Sequence, residues 1–104
     1  MSLIRSLSQI RKELEQEYFG FPEDYCGEAA SKINKELGLP VARVLYKQQN
    51  EFIVHYVNYK PSSHSFIDIT ADQYDESNKP IIIIPIDSNE FDRYYSRKYH
   101  IFDM

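Results

Sequence analysis

Phe52-Ile53-Val54-His55-Tyr56-Val57-Asn58-Tyr59 is followed by the turn Lys60-Pro61-Ser62-Ser63 and then by Ser65-Phe66-Ile67-Asp68-Ile69-Thr70. The outer runs are rich in β-branched and aromatic residues and the inner one is polar and carries proline, so residues 52–70 predict an antiparallel hairpin. A two-residue loop at Pro61-Ser62 pairs residues whose numbers sum to 123, which sets His55 opposite Asp68. Ile53, His55 and Val57 then share a face with Phe66, Asp68 and Thr70, while Val54 and Tyr56 share the other with Ile67 and Ile69. Both faces are largely apolar, so His55 and Asp68 form an embedded polar couple with strong reason to hydrogen-bond. Proline suits a primed two-residue turn poorly because its φ is fixed negative, and a longer loop is expected. Symmetric lengthening keeps the pairing, whereas a one-residue bulge sends Asp68 to the wrong face.

Outward from this hairpin, Val41 to Tyr46 predicts a preceding strand and Ile81 to Ile86 a following one, together an antiparallel meander. The run Ile81-Ile82-Ile83-Ile84 shows no alternation and is expected in the sheet interior with both faces covered. Upstream, Ile4, Leu7, Ile10 or Arg11, Leu14 and Tyr18 recur at helical spacing, and Gly20 and Pro22 end that helix. A second helix is expected with Asp24 as its N-cap and Cys26, Ala29 or Ala30, Ile33 and Leu37 on one face, stopped by Gly38 and Pro40. Residues 90–99 read as a short helix or an aromatic-rich irregular tail. The expected fold class is α+β, with N-terminal helices packed on an antiparallel β-sheet. At 104 residues, 1–104 is expected to be a single domain.

Cys26 falls in the first turn of the second predicted helix, where unpaired backbone N–H groups and the helix dipole favour negative charge and hence thiolate. The thiolate is the nucleophilic form, and a nearby imidazole stabilises it further as an ion pair. Asp68 would orient that ring and stabilise its cation. Backbone N–H groups at Cys26 and Gly27 are candidates for oxyanion stabilisation, and the small Gly27 leaves room for substrate. Glu23, Asp24 and Glu28 surround the cysteine and are expected to raise its pKa. A lone helical cysteine and a strand histidine are each more often structural, and the conjunction of Cys26-Gly27 with a cross-strand His55 and Asp68 is what favours chemistry.

Other function classes are disfavoured by composition. Twelve basic against sixteen acidic residues give a formal charge of −4 without a basic stripe, which argues against nucleic-acid binding. A single cysteine forms no internal disulfide, and Met1-Ser2-Leu3-Ile4-Arg5 lacks the apolar run of a signal or membrane segment, so a cytoplasmic protein is expected, with a secreted effector left open. Cys26, His55, His64 and Asp68 lack metal-ligand spacing, and neither metal nor other cofactor is expected.

Tyr25-Cys26-Gly27-Glu28-Ala29-Ala30 leading to Leu37-Gly38, then His55, then Phe66-Ile67-Asp68-Ile69-Thr70-Ala71-Asp72-Gln73-Tyr74, resembles small bacterial papain-like cysteine hydrolases, including papain-fold toxin domains, and shares the order Cys, His, Asp with the transglutaminase-like superfamily. The resemblance spans about Asp24 to Ile86. It implies a papain-like or transglutaminase-like core, Cys26 as nucleophile, His55 as general base and acid, Asp68 as orienting carboxylate, and Gln73 as a brace of the site. It also implies a protein or peptide substrate attacked at an amide or thioester carbonyl. Tyr56 and Val57 stand where such sequences often carry Trp after the histidine, and Gln16, the nearest glutamine upstream of the cysteine, belongs to the first predicted helix. A chain this short leaves little for an extended peptide cleft. The competing expectation is a non-catalytic binding or accessory module of the same fold, with Tyr94, Tyr95 and Tyr99 as an exposed partner surface.

Overall fold

In this computed structural model, which describes residues 2–102, Ser2 opens helix α1 (Leu3–Glu17) by accepting the Arg5 N–H on its hydroxyl at 3.2 Å. Leu7, Ile10, Arg11 and Leu14 form the buried stripe of α1. Helix α2 (Cys26–Leu37) buries Ala29, Ala30 and Ile33, and it ends at Gly38 in the left-handed region at φ 71°, a conformation glycine adopts without a Cβ penalty. The expected capping role of Asp24 is corrected. Asp24 itself sits at φ 66°, and the N-cap is Tyr25, which makes no side-chain capping bond.

Five strands follow: β1 (Val41–Gln48), β2 (Glu51–Lys60), β3 (Ser65–Asp68), β4 (Ile82–Pro85) and β5 (His100–Ile101), with the single-turn helix α3 (Phe91–Tyr94) before the last. They form one antiparallel sheet in the order β4-β3-β2-β1-β5. This is the predicted α+β arrangement of two N-terminal helices on an antiparallel sheet. Ile67 and Ile69 on one face pack with Leu7, Ile10, Leu14, Ala29 and Ile33 of the helices. The other face, with Ala42, Val44, Tyr46, Val57, Phe66 and Ile84, is covered by Phe91 and Tyr95. Each fully buried Leu, Ile or Phe in these layers contributes about 1.5–3 kcal/mol of transfer free energy.

The hairpin of β2 and β3 pairs Asn58 with Ile67, Tyr59 with Phe66 and Lys60 with Ser65, numbers that sum to 125 rather than the expected 123. The loop takes four residues, a 3-10 turn at Pro61–Ser63 and then His64 at φ 49°. His55 and Asp68 are therefore diagonal neighbours, not rung partners. A shift of two preserves facing, because side chains alternate with period two.

The Ile81–Ile84 run is not interior: β4 is an edge strand. Ile81 and Ile83 do pack toward the helices and Ile82 and Ile84 toward the other layer, so both faces are covered, but cover does not supply a second neighbouring strand. Pro85 lacks the N–H that an interior position would require. The C-terminal stretch is a helical turn and then extended chain. Tyr95 bridges to Tyr46 and β5 pairs with β1, closing the edge that the sequence had left without a partner.

Candidate active site

Asp68 is the last residue of β3, and β2 carries His55 along the strand beside it; both side chains are buried. His55 Nε2 donates to Asp68 Oδ2 at 2.8 Å. The same oxygen accepts the Tyr95 hydroxyl at 2.9 Å, and Oδ1 accepts the Thr70 N–H at 3.0 Å and the Thr70 hydroxyl at 3.3 Å. A buried carboxylate with four donors is a satisfied one, which is the condition for keeping it ionised out of water.

The ring is fixed from the sides as well. Tyr46 and Tyr74 meet His55 edge-on, with centroids 6.0 Å and 5.3 Å away. With Nε2 engaged, the nitrogen left to address a thiol is Nδ1, which is buried and makes no completed hydrogen bond among the described residues. Cys26, half-buried at the first position of α2, is the thiol coupled to this ring. β3 pairs with β2 only from Asn58 onward, so the edge of β2 beside His55 is open and the start of α2 approaches there. The Tyr56 backbone N–H is one of the groups that lower the thiol. His55 and Asp68 are thus brought together, with the register corrected, and Cys26 at the start of α2 acts on the same ring.

Burial opposes charge on all three groups. For His55, the Asp68 carboxylate by charge and hydrogen bond, and then the Cys26 sulfur, outweigh burial, and the pKa is pushed up to about 10. Burial also works to raise Asp68, but the His55 cation, the Thr70 N–H and the Tyr95 hydroxyl hold it below the usual carboxylate range. For Cys26, burial pushes the thiol up and Asp68 adds to that, yet the His55 ring and the Tyr56 N–H bring it below its ordinary value. Glu23, Asp24 and Glu28, expected to raise the thiol, are not among the groups that chiefly shift it, whereas Asp68 is.

Gly27 is the second residue of α2, and its space is open: a Cβ added there meets nothing within 4 Å. The first intrahelical bond of α2 is donated by Ala29 to the Tyr25 carbonyl at 2.9 Å, which leaves the N–H groups of Cys26, Gly27 and Glu28 outside the helical ladder. Gln73 closes the 3-10 turn Ala71–Gln73 that follows Asp68; its buried Oε1 has no partner, and no hydrogen bond joins it to Cys26, His55 or Asp68 among the described residues. The turn is anchored instead by Arg11. Its guanidinium donates to the Ile69 carbonyl at 2.7 Å and grips both oxygens of Asp72 at 2.7 and 2.8 Å.

Sequence reasoning missed Tyr95, Thr70, Tyr46, Tyr74 and Arg11. Of these, Thr70 was readable, because an aspartate two residues before a threonine invites the local turn that it forms. Tyr95 is fully buried and is no part of an exposed partner surface, which corrects that expectation; Tyr99 is exposed and Tyr94 is half-buried.

No family model, curated protein or solved structure matches the chain.

Among the described residues no group of three or more His, Cys, Asp or Glu side chains is placed to hold a metal ion, and no helix is long and apolar enough to cross a membrane.

Proposed function

We propose that the chain is a cysteine-dependent hydrolase or acyltransferase with a papain-like or transglutaminase-like core, acting on amide or thioester carbonyls of a protein or peptide. The observation that carries this reading is the 2.8 Å bond from His55 Nε2 to Asp68, which holds the ring with Nδ1 free for the thiol at the start of α2. The Cys26 thiolate attacks the carbonyl carbon, a C–S bond forms, and the carbonyl electrons move onto oxygen. The N–H groups of Cys26 and Gly27 face that oxyanion, and the turn after Asp68 is held by Arg11. His55 hands its proton to the departing amine or thiol as the tetrahedral centre collapses to an acyl-enzyme. Water or an amine, deprotonated by His55, then releases the acyl group and returns the sulfur to thiolate. Asp68 keeps the imidazole oriented and stabilises its cation throughout.

Turnover of glutamine-containing peptides, measured by ammonia release and by cleavage, tests the proposal against Cys26→Ala and His55→Ala. Loss of activity in both variants is expected; equal rates in all three proteins would end it.

One observation favours a non-catalytic binding module instead. A groove of about 600 Å³ runs between α1 and α2 past Leu14, Tyr18, Gly27 and Ser31 and does not include Cys26 or His55. Binding of a partner there without any turnover would support that second reading.

A further inference from the structure

Over residues 51–57, β2 has a neighbouring strand on one side only. β1 pairs with it from Glu51 to Asn58, whereas β3 pairs with it only at Asn58, Tyr59 and Lys60. Printed into the backbone is the direction each amide takes: Tyr59 N–H donates to the Pro40 carbonyl at 2.8 Å, toward β1, and the Leu45 carbonyl of β1 faces away from β2 to accept Ser96 N–H at 2.9 Å. Because amides alternate along an antiparallel strand, Val57, His55 and Ile53 address β1, and Tyr56, Val54 and Phe52 address the open side. On that side the Tyr56 N–H is one of the groups that lower the Cys26 thiol, and α2, which begins at Cys26, packs on β2 through the Ala30 carbonyl, which accepts the Asn58 side-chain amide at 3.0 Å. The main-chain groups of Val54 and Phe52 have no partner there among the described residues, and their side chains are 53% and 59% exposed.

Folded proteins ordinarily cover, shorten or charge an edge of this kind, since a bare row of amides flanked by apolar side chains is a template for another strand. Here the row is left bare and it leads to the nucleophile. A small thioester has no amides to match it. A second copy docked across this edge would cover its own reactive cysteine.

We infer that the open edge of β2 at Phe52 and Val54 is the substrate-docking site, taking an extended polypeptide segment as an added strand. This rests on Cys26 being the nucleophile. The segment exchanges main-chain hydrogen bonds with Val54 and Phe52 and sets apolar side chains at alternate positions against theirs. Val54 and Tyr56 are two residues, about 7 Å, apart along the strand, so a carbonyl one or two residues beyond the Val54 partner arrives at the sulfur. The substrate class is therefore an unfolded or looped peptide with alternating apolar residues.

Alkylation of Cys26 by two reagents provides the test: an acetylated pentapeptide chloromethyl ketone of alternating valine and threonine ending in glycine, and the acetyl-glycine chloromethyl ketone alone. The pentapeptide should react about tenfold faster, the gain of one or two net hydrogen bonds with apolar contact. N-methylation of its amides that face β2 should remove the gain. Val54→Pro, which deletes an outward N–H, should remove it too, read as the ratio of the two reagents' rates in the same variant. Equal rates for the long and short reagents, or a gain indifferent to both N-methylation and Val54→Pro, would overturn the docking site and leave the nucleophile standing. A stable dimer in sedimentation that Val54→Pro dissociates would assign the edge to a second copy, which also overturns it. Should Cys26 react with neither reagent faster than free cysteine, the proposed function fails and the docking site with it.

Discussion

His55 and Tyr95 meet on one oxygen: Asp68 Oδ2 accepts the imidazole N–H at 2.8 Å and the phenol O–H at 2.9 Å. Tyr95 is fully buried, and its hydroxyl helps to keep the carboxylate ionised. Tyr95→Phe preserves shape and removes one hydrogen bond to a charged acceptor, so a loss of about 1.5–3 kcal/mol is expected in urea denaturation at pH 7. The Asp68 carboxyl should also titrate at higher pH in the variant; an unmoved acid transition would show that Tyr95 only fills space.

The thiol of Cys26 is brought below its ordinary value chiefly by His55, against burial. Iodoacetamide labelling of the native protein should therefore retain its rate below the free-thiol pKa of about 8.5. In His55→Gln the midpoint should move upward, because burial and the Asp68 charge remain while the cation is gone. Identical pH midpoints in the two proteins would deny the ion pair.

The couple also sets a pH dependence of stability. His55 has its folded pKa raised to about 10, so its contribution is complete below about 6.5 and is lost as pH climbs through the folded value. Asp68 is lowered, so its contribution is present above about 3.9 and is lost as pH falls through its folded value. Denaturation midpoints of Cys26→Ala, where no thiol titration adds a slope and the larger Asp68 influence on His55 is kept, should be highest between about pH 4 and 6.5 and decline on both sides. A midpoint that rises from pH 7 to 9 would contradict the assignment.

Arg11 ties α1 to the turn after Asp68 through the Ile69 carbonyl and both Asp72 oxygens, with only 9% of its surface exposed. Arg11→Met leaves the Asp72 carboxylate and the Ile69 carbonyl without these donors, and a loss of about 3 kcal/mol is expected by urea denaturation. Lysine restores charge but not the two-pronged grip and should recover only part of it. A methionine variant as stable as the parent would show the pair to be dispensable.

How far the sequence could be read depended on whether a feature was local. The shared facing of His55 and Asp68 was legible because alternation is a two-residue property, and it survived a loop that proved to be Pro61–His64 rather than Pro61-Ser62. The register was not, since a non-glycine residue at positive φ, His64, leaves little trace in residue type. Cys26 stands at the helix start that the spacing predicts, whereas side-chain chemistry alone points to Asp24 as the cap and the chain uses Tyr25. The Ile81–Ile84 run showed that covered faces do not distinguish an edge strand, and Pro85 held the information that was passed over. Tyr95 meets Asp68 across 27 residues of sequence, and no periodicity connects positions that far apart.

Ser2 closes the start of α1 with its hydroxyl, whereas Tyr25 offers α2 nothing comparable. The turn that bears the sulfur is accordingly the least secured in its helix, and its amide protons should exchange with solvent sooner than those from Ala29 onward. Tyr25→Ser would add a cap worth about 1 kcal/mol to the first turn while removing the ring stacked on Tyr18 at 4.6 Å, so slower amide exchange in that turn is the readout. That gain would come from occupying a main-chain donor that the native turn leaves unbonded, so one added hydroxyl would tie down the residues that carry the sulfur.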